Sequence, residues 1–309
     1  MPITAPIKTT DFAGFIKPEI AEPIFEEAAK QSVVQRLVPR TDLGPAGVAI
    51  PVVTGRPRVG WVGEAAKKPA TESKMGLRTI KPEKAAAIVV VSANVVRANP
   101  AKYVDRLYDQ LATAFAQAFD MASIHGKATD GTTAGPFSDY LAKATKAVEI
   151  GTATAEKGGV YADFAAVLRL LTTDRKRLTG WMLDSTVEPD IIDAVDKNGR
   201  PIFVDVPTGV DDTLIAGRLL RRPCYMGEEV ALPGDAAKVV GIGGNFSKAV
   251  WGAVGGISYD VSTETAVTIN GELVSLWENN LLAIRAEAEY GFLTEHEDAS
   301  DFVKLTNAA

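Results

Sequence analysis

The chain has 309 residues, of which 46% are hydrophobic and 23% charged, and its formal net charge is -6. This length allows a large buried core, and the composition excludes disordered, collagen-like and coiled-coil proteins. The acidic balance argues against a dedicated nucleic-acid-binding protein, which would normally carry a basic excess. The longest apolar run covers residues 85–91. A membrane helix is not expected, because it needs roughly 20 such residues.

One cysteine and two histidines limit the chemistry that the chain can perform. Cys224 cannot form an internal disulfide, which favours a reducing compartment, and a packed structural thiol is its expected role. Together with His125 and His296 it supplies too few ligands for a Cys/His zinc site, so we expect neither a metal nor a cofactor. We also expect no export signal, because charged residues and prolines stand where a signal peptide needs an apolar run.

The N-terminal third predicts an arm, a helix and a long hairpin. Residues 1 to about 18 mix prolines and threonines, which is typical of an extended arm that a neighbour must order. Apolar residues at helical spacing follow Pro18, and strands are predicted at 32–38 and 48–53. From about 50 to 84, glycines and prolines interrupt short alternating stretches, which predicts an irregular hairpin.

This predicted hairpin has a net charge of +5, from eight basic and three acidic residues. Two strands alone are marginal in water, so we expect the hairpin to rest on a neighbouring molecule. Its basic residues are either solvated or docked on acidic neighbours. If copies of the chain pack together, the opposite charge would come from Glu287, Glu289, Glu295, Glu297, Asp298 and Asp301.

Ala85 to Ser92 is a continuous apolar stretch that predicts a strand buried on both faces. The clearest element follows: a helix with Asn99 as N-cap, Pro100 at its first position and Gly126 just beyond its C-terminus. Its length of about 26 residues, or roughly 39 Å, suggests a spine. One apolar stripe runs along it, formed by Val104, Leu107, Leu111, Phe115, Ala118, Phe119 and Ala122.

The second half predicts an α/β or α+β domain. A helix is expected over 161–177 with Phe164, Val167, Leu168 and Leu171 as its apolar face. Further predictions are a short helix at 188–195, a turn at 198–201, and strands at 181–183, 202–206, 213–215, 238–241 and 249–254. A half-buried antiparallel strand is predicted near the end of the chain. There, Arg285, Glu287 and Glu289 alternate with the apolar residues Leu282, Ile284, Ala286, Ala288, Tyr290 and Phe292.

Catalytic motifs are weak in this sequence. Val239 to Gly244 resembles a nucleotide-binding fingerprint, but Phe246 stands where the third glycine should be, and a strand-like stretch follows instead of a helix. The sequence has no phosphate-binding G-x-x-x-x-G-K-[ST], no G-x-S-x-G and no H-E-x-x-H motif. The residues alone therefore indicate an interlocking, oligomeric α+β protein rather than a conventional enzyme.

The order and spacing of several stretches resemble the tailed-bacteriophage major capsid protein family. They are Ile50-Pro51, Trp61 to Pro69, Ser92 to Pro100, Ala114 to Asp120, Gly199 to Pro201, Trp251 to Asp260 and Ser275 to Tyr290. The resemblance covers nearly the whole chain and is closest to capsid proteins of phages that infect actinobacteria. It implies an α+β, Hong Kong 97-type fold. The implied parts are an N-terminal arm (1–35), the start of a P-domain (36–46), an E-loop (47–84), the P-domain with its spine helix (85–127), an A-domain (128–255) and the C-terminal strands of the P-domain (256–309).

The resemblance implies a shell of pentamers and hexamers that encloses double-stranded DNA without reading its sequence. Its implied partners are other copies of the chain, a portal, decoration proteins and a separate scaffolding protein, since the arm begins almost at Met1. The implied place is the virion capsid, assembled in the host cytoplasm without a membrane. The alternatives are an encapsulin-type nanocompartment, which would enclose cargo protein, and an intracellular α/β enzyme.

Some members of this family join subunits by an isopeptide bond between a lysine and an asparagine, with a glutamate as proton acceptor. By local match these residues are Lys68, Asn280 and Glu287. Lys67 or Asn279 would take part instead if the match shifts by one residue. The alternative is a purely structural role for all three matched residues.

Overall fold

The computed structural model describes residues 31–307 apart from 56, 65–66, 99–102, 155, 157, 196–199, 202, 206–213, 233, 235–237 and 270. The predicted N-terminal arm, the helix expected after Pro18, the Asn99 cap with Pro100, and most of the predicted turn at 198–201 lie outside these residues.

The described chain alternates short strands with a few helices. Its first half contains α1 (Val33–Leu37), β1 (Arg40–Asp42), β2 (Val48–Gly55), β3 (Lys74–Ile80), β4 (Glu83–Ser92), α2 (Ala93–Ala98), α3 (Tyr103–His125), β5 (Ala147–Ile150) and α4 (Gly159–Thr173). Its second half contains β6 (Gly180–Asp184), α5 (Glu188–Ile192), β7 (Phe203–Asp205), β8 (Ile215–Leu219), β9 (Arg222–Gly227), β10 (Val239–Gly244), β11 (Ala249–Ala253), β12 (Ser258–Ser262), β13 (Ala266–Ile269), β14 (Glu272–Ser275), β15 (Leu281–Thr294) and β16 (Phe302–Asn307).

β15 is the central strand of the first sheet. β4 pairs antiparallel along one side of it, from Ser92 opposite Leu281 to Glu83 opposite Tyr290. β11 and β12 pair along the other side, and β1 extends the sheet from β11. Side chains of β15 alternate between buried and more exposed positions from Ile284 to Tyr290, and the strand is buried from there to Thr294. The predicted half-buried strand is therefore confirmed.

The helix α3 lies against the buried face of this sheet and confirms the predicted spine. Its 23 residues give a rod of about 35 Å. Phe119 packs on the rings of Tyr290 and Trp251, with centroids 5.2 and 5.7 Å away. The helix ends at Gly126, whose φ of +64° suits glycine; a Cβ there would lie 2.5 Å from the Tyr140 ring.

The second sheet has seven strands in the order β5-β16-β10-β6-β9-β8-β7. α4 packs its predicted face on this sheet, where Phe164 meets Trp181 edge to face at 5.2 Å. The glycines of β10 are explained by packing, since a Cβ on Gly243 would lie 2.6 Å from the Trp181 ring. A short 3-10 turn (Phe246–Lys248) and β11 follow them, so this stretch does not form a nucleotide-binding strand, turn and helix.

The predicted strand at 32–38 is wrong, because residues 33–37 form the helix α1. β-branched valines favour a strand locally. Contacts at the helix N-terminus override that preference: the Ser32 side chain accepts a hydrogen bond from the Gln35 amide, and Asp120 of α3 accepts from the amides of Val33 and Val34.

Other predictions are wrong in detail. β4 is not buried on both faces: it is an edge strand, and Ile88 on its outer face is 54% exposed. The helix predicted over 161–177 ends at Thr173, because the Lys176 amide bonds to the Leu171 carbonyl and Arg175 takes a φ of +59°. The strand predicted at 213–215 lies at 215–219 instead, and the helix predicted at 188–195 ends at Ile192.

A buried carboxyl joins the described start of the chain to the spine. Asp120 is 3% exposed and accepts hydrogen bonds from the Ser32 hydroxyl at 2.5 Å and the Val33 amide at 2.9 Å. It also lines a cavity of about 250 Å³ together with Glu229. Burial raises the pKa of Asp120 to about 7, and Glu229 raises it slightly, although the hydrogen bonds act in the opposite direction.

Because the folded-state pKa of Asp120 lies above its unfolded value of 3.8, its contribution to stability is complete below pH 3.8 and is lost as the pH rises to about 7. Asp120→Asn removes this titration. Between pH 5 and 8 we expect the wild type to lose on the order of 2 to 3 kcal/mol of unfolding free energy relative to the variant. Urea denaturation at both pH values measures it; equal pH dependence in the two proteins would contradict the assignment.

Candidate functional site

The strands β2 and β3 form a hairpin that projects from the body of the subunit. They pair antiparallel from Val48 opposite Ile80 to Gly55 opposite Lys74. We call residues 56–73 beyond them the hairpin tip. Every described side chain from 57 to 73 is exposed, including Trp61 and Val59. The predicted long hairpin is confirmed, and its tip presents apolar side chains that this subunit does not cover.

The paired part of the hairpin also has an uncovered apolar face. Alternation places Pro51, Met75 and Leu77 on its outer side, and all three are exposed. The inner side rests on the body through a small cluster of Ile80 with Leu43 and Leu293. The hairpin is therefore supported by its own subunit on its inner side as far as Val52, and its outer face and tip are left uncovered, as expected for a segment that contacts another molecule.

The charges of the hairpin are divided between root and tip. At the root, Arg78 makes an ion pair with Asp139 at 2.8 Å, and Lys84 with Glu287 at 3.1 Å. At the tip, Arg58, Lys67 and Lys68 are exposed. Several of the acidic residues expected to receive hairpin cations have partners in their own chain, which are Lys84 for Glu287, Lys248 for Glu295, Arg78 for Glu297, and Lys176 with His296 for Asp301. Docking of the tip on acidic residues of a neighbour stays a prediction.

One chain does not bring together the residues matched to the isopeptide pattern. Lys68 lies on the hairpin tip. Asn280 lies in the turn before β15 with a φ of +52°, and its side-chain amide donates to the Asn94 side chain at 3.4 Å. Glu287 lies within β15 and also approaches Arg285 at 3.7 Å. Seven residues of extended strand separate Glu287 from Asn280 by about 23 Å. A reaction that uses both must therefore take them from different subunits.

The remaining reactive groups are structural. Cys224 is 1% exposed in β9, and burial raises the pKa of its thiol, so the expected packed role is confirmed. His125 is the last residue of α3, and its side-chain Nε2 lies 3.1 Å from the Val230 carbonyl oxygen. Across the described part of the chain, no three acidic, histidine or cysteine side chains converge as a metal site. Nor is any helix there long and apolar enough to cross a membrane.

Sequence reasoning missed Arg78 and Asp139 as a pair. They are 61 residues apart, and neither belongs to a recognisable motif. Basic residues occur throughout this stretch, so the pattern gave no reason to single out Arg78. Only the packed structure shows that this cation is paired with a buried carboxylate at the root, while Arg58, Lys67 and Lys68 are exposed at the tip.

Comparison with known proteins gives a consistent group of relatives. A family model described as the phage capsid family matches residues 13–305. The chain is 40% identical over 305 residues to the probable major capsid protein gp17 of Mycobacterium phage D29, with 96% of this chain and 92% of that protein covered. It is 41% identical over 307 residues to the protein of the same name from Mycobacterium phage L5, with 96% and 90% covered.

Solved structures share the fold at lower sequence identity. A chain from Gordonia phage Cozz has a TM-score of 0.70 at 21% identity, with 90% of this chain and 87% of that chain covered. A chain from Mycobacterium phage Adephagia has a TM-score of 0.70 at 15% identity, with 99% of both chains covered. The fold described above is therefore shared along nearly the full length.

Deleting residues 57–73 and joining β2 to β3 by an Asn-Gly turn tests the role of the tip. Because these side chains are exposed, we expect the unfolding temperature to change by no more than about 2 °C. Self-association, measured by analytical ultracentrifugation, should be lost. The matched control is the full-length chain with Lys67→Ser and Lys68→Ser, which removes two charges of the tip and keeps its apolar side chains. Undiminished association of the deleted chain would contradict the assignment of the tip as a contact segment.

Proposed function

This chain belongs to the phage capsid family and has its Hong Kong 97-type fold, and we propose that it assembles into the pentamers and hexamers of an icosahedral shell. Its role is that of a major capsid protein, which is structural. The observation that carries the assembly proposal is the hairpin tip, whose apolar side chains are exposed on the isolated subunit. In a shell, an adjacent subunit covers them.

The parts of the subunit are assigned as follows: arm at 1–35, P-domain at 36–46, 85–127 and 256–309, E-loop at 47–84 and A-domain at 128–255. The E-loop assignment is supported by the projecting hairpin. The two sheets support a refinement of the other bounds. β11 falls within the A-domain range but pairs with the P-domain strand β15, so we place it in the P-domain. β16 falls within the P-domain range but pairs with the A-domain strand β10, so we place it in the A-domain.

The proposed contents and partners follow from this role. The shell encloses double-stranded DNA without sequence readout, since the chain is acidic overall. Portal, decoration and separate scaffolding proteins complete the particle, which is assembled in the host cytoplasm and forms the virion capsid. The relatives named as major capsid proteins favour this function over an encapsulin-type compartment and over an intracellular enzyme.

A covalent crosslink between subunits is the finer part of the proposal. The amine of Lys68, after losing a proton to Glu287, attacks the side-chain carbonyl carbon of Asn280. A new carbon–nitrogen bond forms, the bond to the amide nitrogen breaks, and ammonia leaves with the proton. The separation along β15 requires that Asn280 and Glu287 belong to different subunits. Assembly supplies the proximity that free side chains lack.

Electron microscopy tests the shell directly. The chain, expressed in a bacterium alone and with the proteins encoded next to it, should form closed icosahedral particles. Packaged cargo protein in place of DNA would instead indicate the encapsulin alternative. Monomers or small oligomers in both expressions would contradict the proposal.

The crosslink has its own test. Mature shells boiled in detergent should give a ladder of linked subunits, and Lys68→Ala, Asn280→Asp or Glu287→Ala should each reduce the ladder to monomer. Lys67→Ala and Asn279→Asp are matched controls that should leave it intact. Shells co-assembled from Asn280→Asp and Glu287→Ala subunits should regain some linked bands, because the two residues come from different subunits. Monomer alone from wild-type shells would refute the crosslink.

A further inference from the structure

We propose that Arg78 is the positioning residue that fixes the direction in which the hairpin leaves the subunit, and thereby the geometry of assembly. The proposal rests on the proposed shell function. It concerns a single guanidinium group at the root of the hairpin, where β3 passes the end of β15.

The Arg78 guanidinium contacts two separate parts of the chain, the end of β15 with the residues just after it and the loop after α3. One nitrogen, Nη1, donates to the Thr294 carbonyl at 2.7 Å, at the end of β15. The other, Nη2, donates to Asp139 Oδ2 at 2.8 Å and lies 3.7 Å from Glu297. The hairpin is thus joined to β15 and to the loop after α3 through one rigid, planar group.

Burial strengthens these contacts. The Arg78 side chain is 17% exposed and that of Asp139 is 7% exposed. Hydrogen bonds between charged groups are stronger when they are shielded from water. Thr294 is itself fixed by pairing with Ala249 of β11, so the acceptor cannot move independently of the sheet.

The other contacts at the root are mainly apolar. Val48 and Ile50 of β2 pack against the cluster of Ile80, Leu43 and Leu293, and apolar contacts are non-directional. The nearest hairpin cation on the same side, Lys74, pairs only with exposed Glu72 among the described residues. A directional anchor is therefore supplied mainly by Arg78.

The length of the hairpin makes this direction consequential. From Arg78 to the middle of the tip the chain can reach at most about 40 Å, at about 3.3 Å per residue. A rotation of about 10° at the root would displace the tip by up to roughly 7 Å over such a distance. Packed interfaces do not tolerate a shift of that size, since their complementarity is close to that of protein interiors. A subunit without the anchor can fold and still fail to meet its neighbour correctly.

Asp139 gives the anchor a second consequence. It lies between the end of α3 and the 3-10 turn Leu141–Lys143, in the segment that leads to β5 of the second sheet. The same guanidinium thus links the hairpin to the connection between the two sheets. Movement of the second sheet relative to the first would be transmitted to the hairpin through this contact.

Paired spin labels measure the direction of the hairpin. Labels at Met75→Cys on β3 and Gln110→Cys on α3 are both on exposed positions, whereas native Cys224 is buried and does not react. With Arg78 intact, we expect one narrow distribution of the distance between the two labels. In Arg78→Gln, we expect this distribution to be broader. Because Arg78→Gln leaves the buried Asp139 unpaired, the double variant Arg78→Gln/Asp139→Asn guards against misfolding. Lys74→Gln, which removes a cation from the same strand, is the matched control and should behave as wild type.

Assembly is measured on the same substitutions without labels. We expect the fraction of chain in closed shells to fall at least about tenfold in the double variant, a change that loss of a charged hydrogen bond can produce. Arg78→Lys should restore it partly, since one ammonium cannot reach both Thr294 and Asp139. An unchanged distance distribution, or normal shells despite a broadened one, would overturn the role of Arg78. Failure of the wild type to form shells would count against the shell function, and the distance distribution would still decide whether Arg78 directs the hairpin.

Discussion

The packing of α3 against β15 is the contact on which the rest of the subunit depends. Phe119 of the helix meets Tyr290 and Phe292 of the strand, and Trp251 of β11 closes the same aromatic group. Every functional feature is attached to one of these two elements. The hairpin is anchored at the end of β15, and Asp120 of α3 holds the described start of the chain. A rigid centre of this kind lets the subunit extend long segments toward its neighbours without losing its own core.

The two faces of β15 carry different kinds of side chain. Side chains on one face enter the core, while Arg285 and Glu287 on the other form ion pairs with Asp260 of β12 and Lys84 of β4. This charged face lies on the same strand as the turn of Asn280 and the hairpin anchor at Thr294. Because Glu287 lies seven residues of extended strand from Asn280 and seven from Thr294, or about 23 Å in each direction, these features are too far apart to contact one another within a subunit. They can be combined only by placing several subunits side by side.

The parts of the fold that sequence predicts are those whose signal is local. The apolar stripe of α3, the alternation of β15 and the Gly and Pro residues of the hairpin each determine their element without help from distant residues. Local signals failed where a distant contact decides. The valines of 33–38 favour a strand locally, but Asp120, more than 80 residues away, caps the segment as a helix. In the sequence, Arg78 is one of many basic residues, and only its contacts with Asp139 and Thr294 distinguish it. The candidate crosslink residues came from a resemblance, and one folded subunit cannot test a site that several subunits must build.

A capsid subunit must be soluble before assembly and yet expose surface that binds its own copies. In the proposed shell, the hairpin would meet both demands by separating two kinds of residue along its length. Trp61 and Val59 at the tip lie in a stretch rich in lysine, arginine, glycine and proline, which disfavours the flat edge pairing that leads to aggregation. The directional contacts are kept at the root, buried and paired within the chain. Strong attraction at an exposed tip with a poorly fixed root would allow many wrong associations. A weakly binding tip on a fixed root favours the neighbour whose surface lies in the direction of the tip. Specificity then comes from the geometry of the hairpin and not only from the strength of the tip contact.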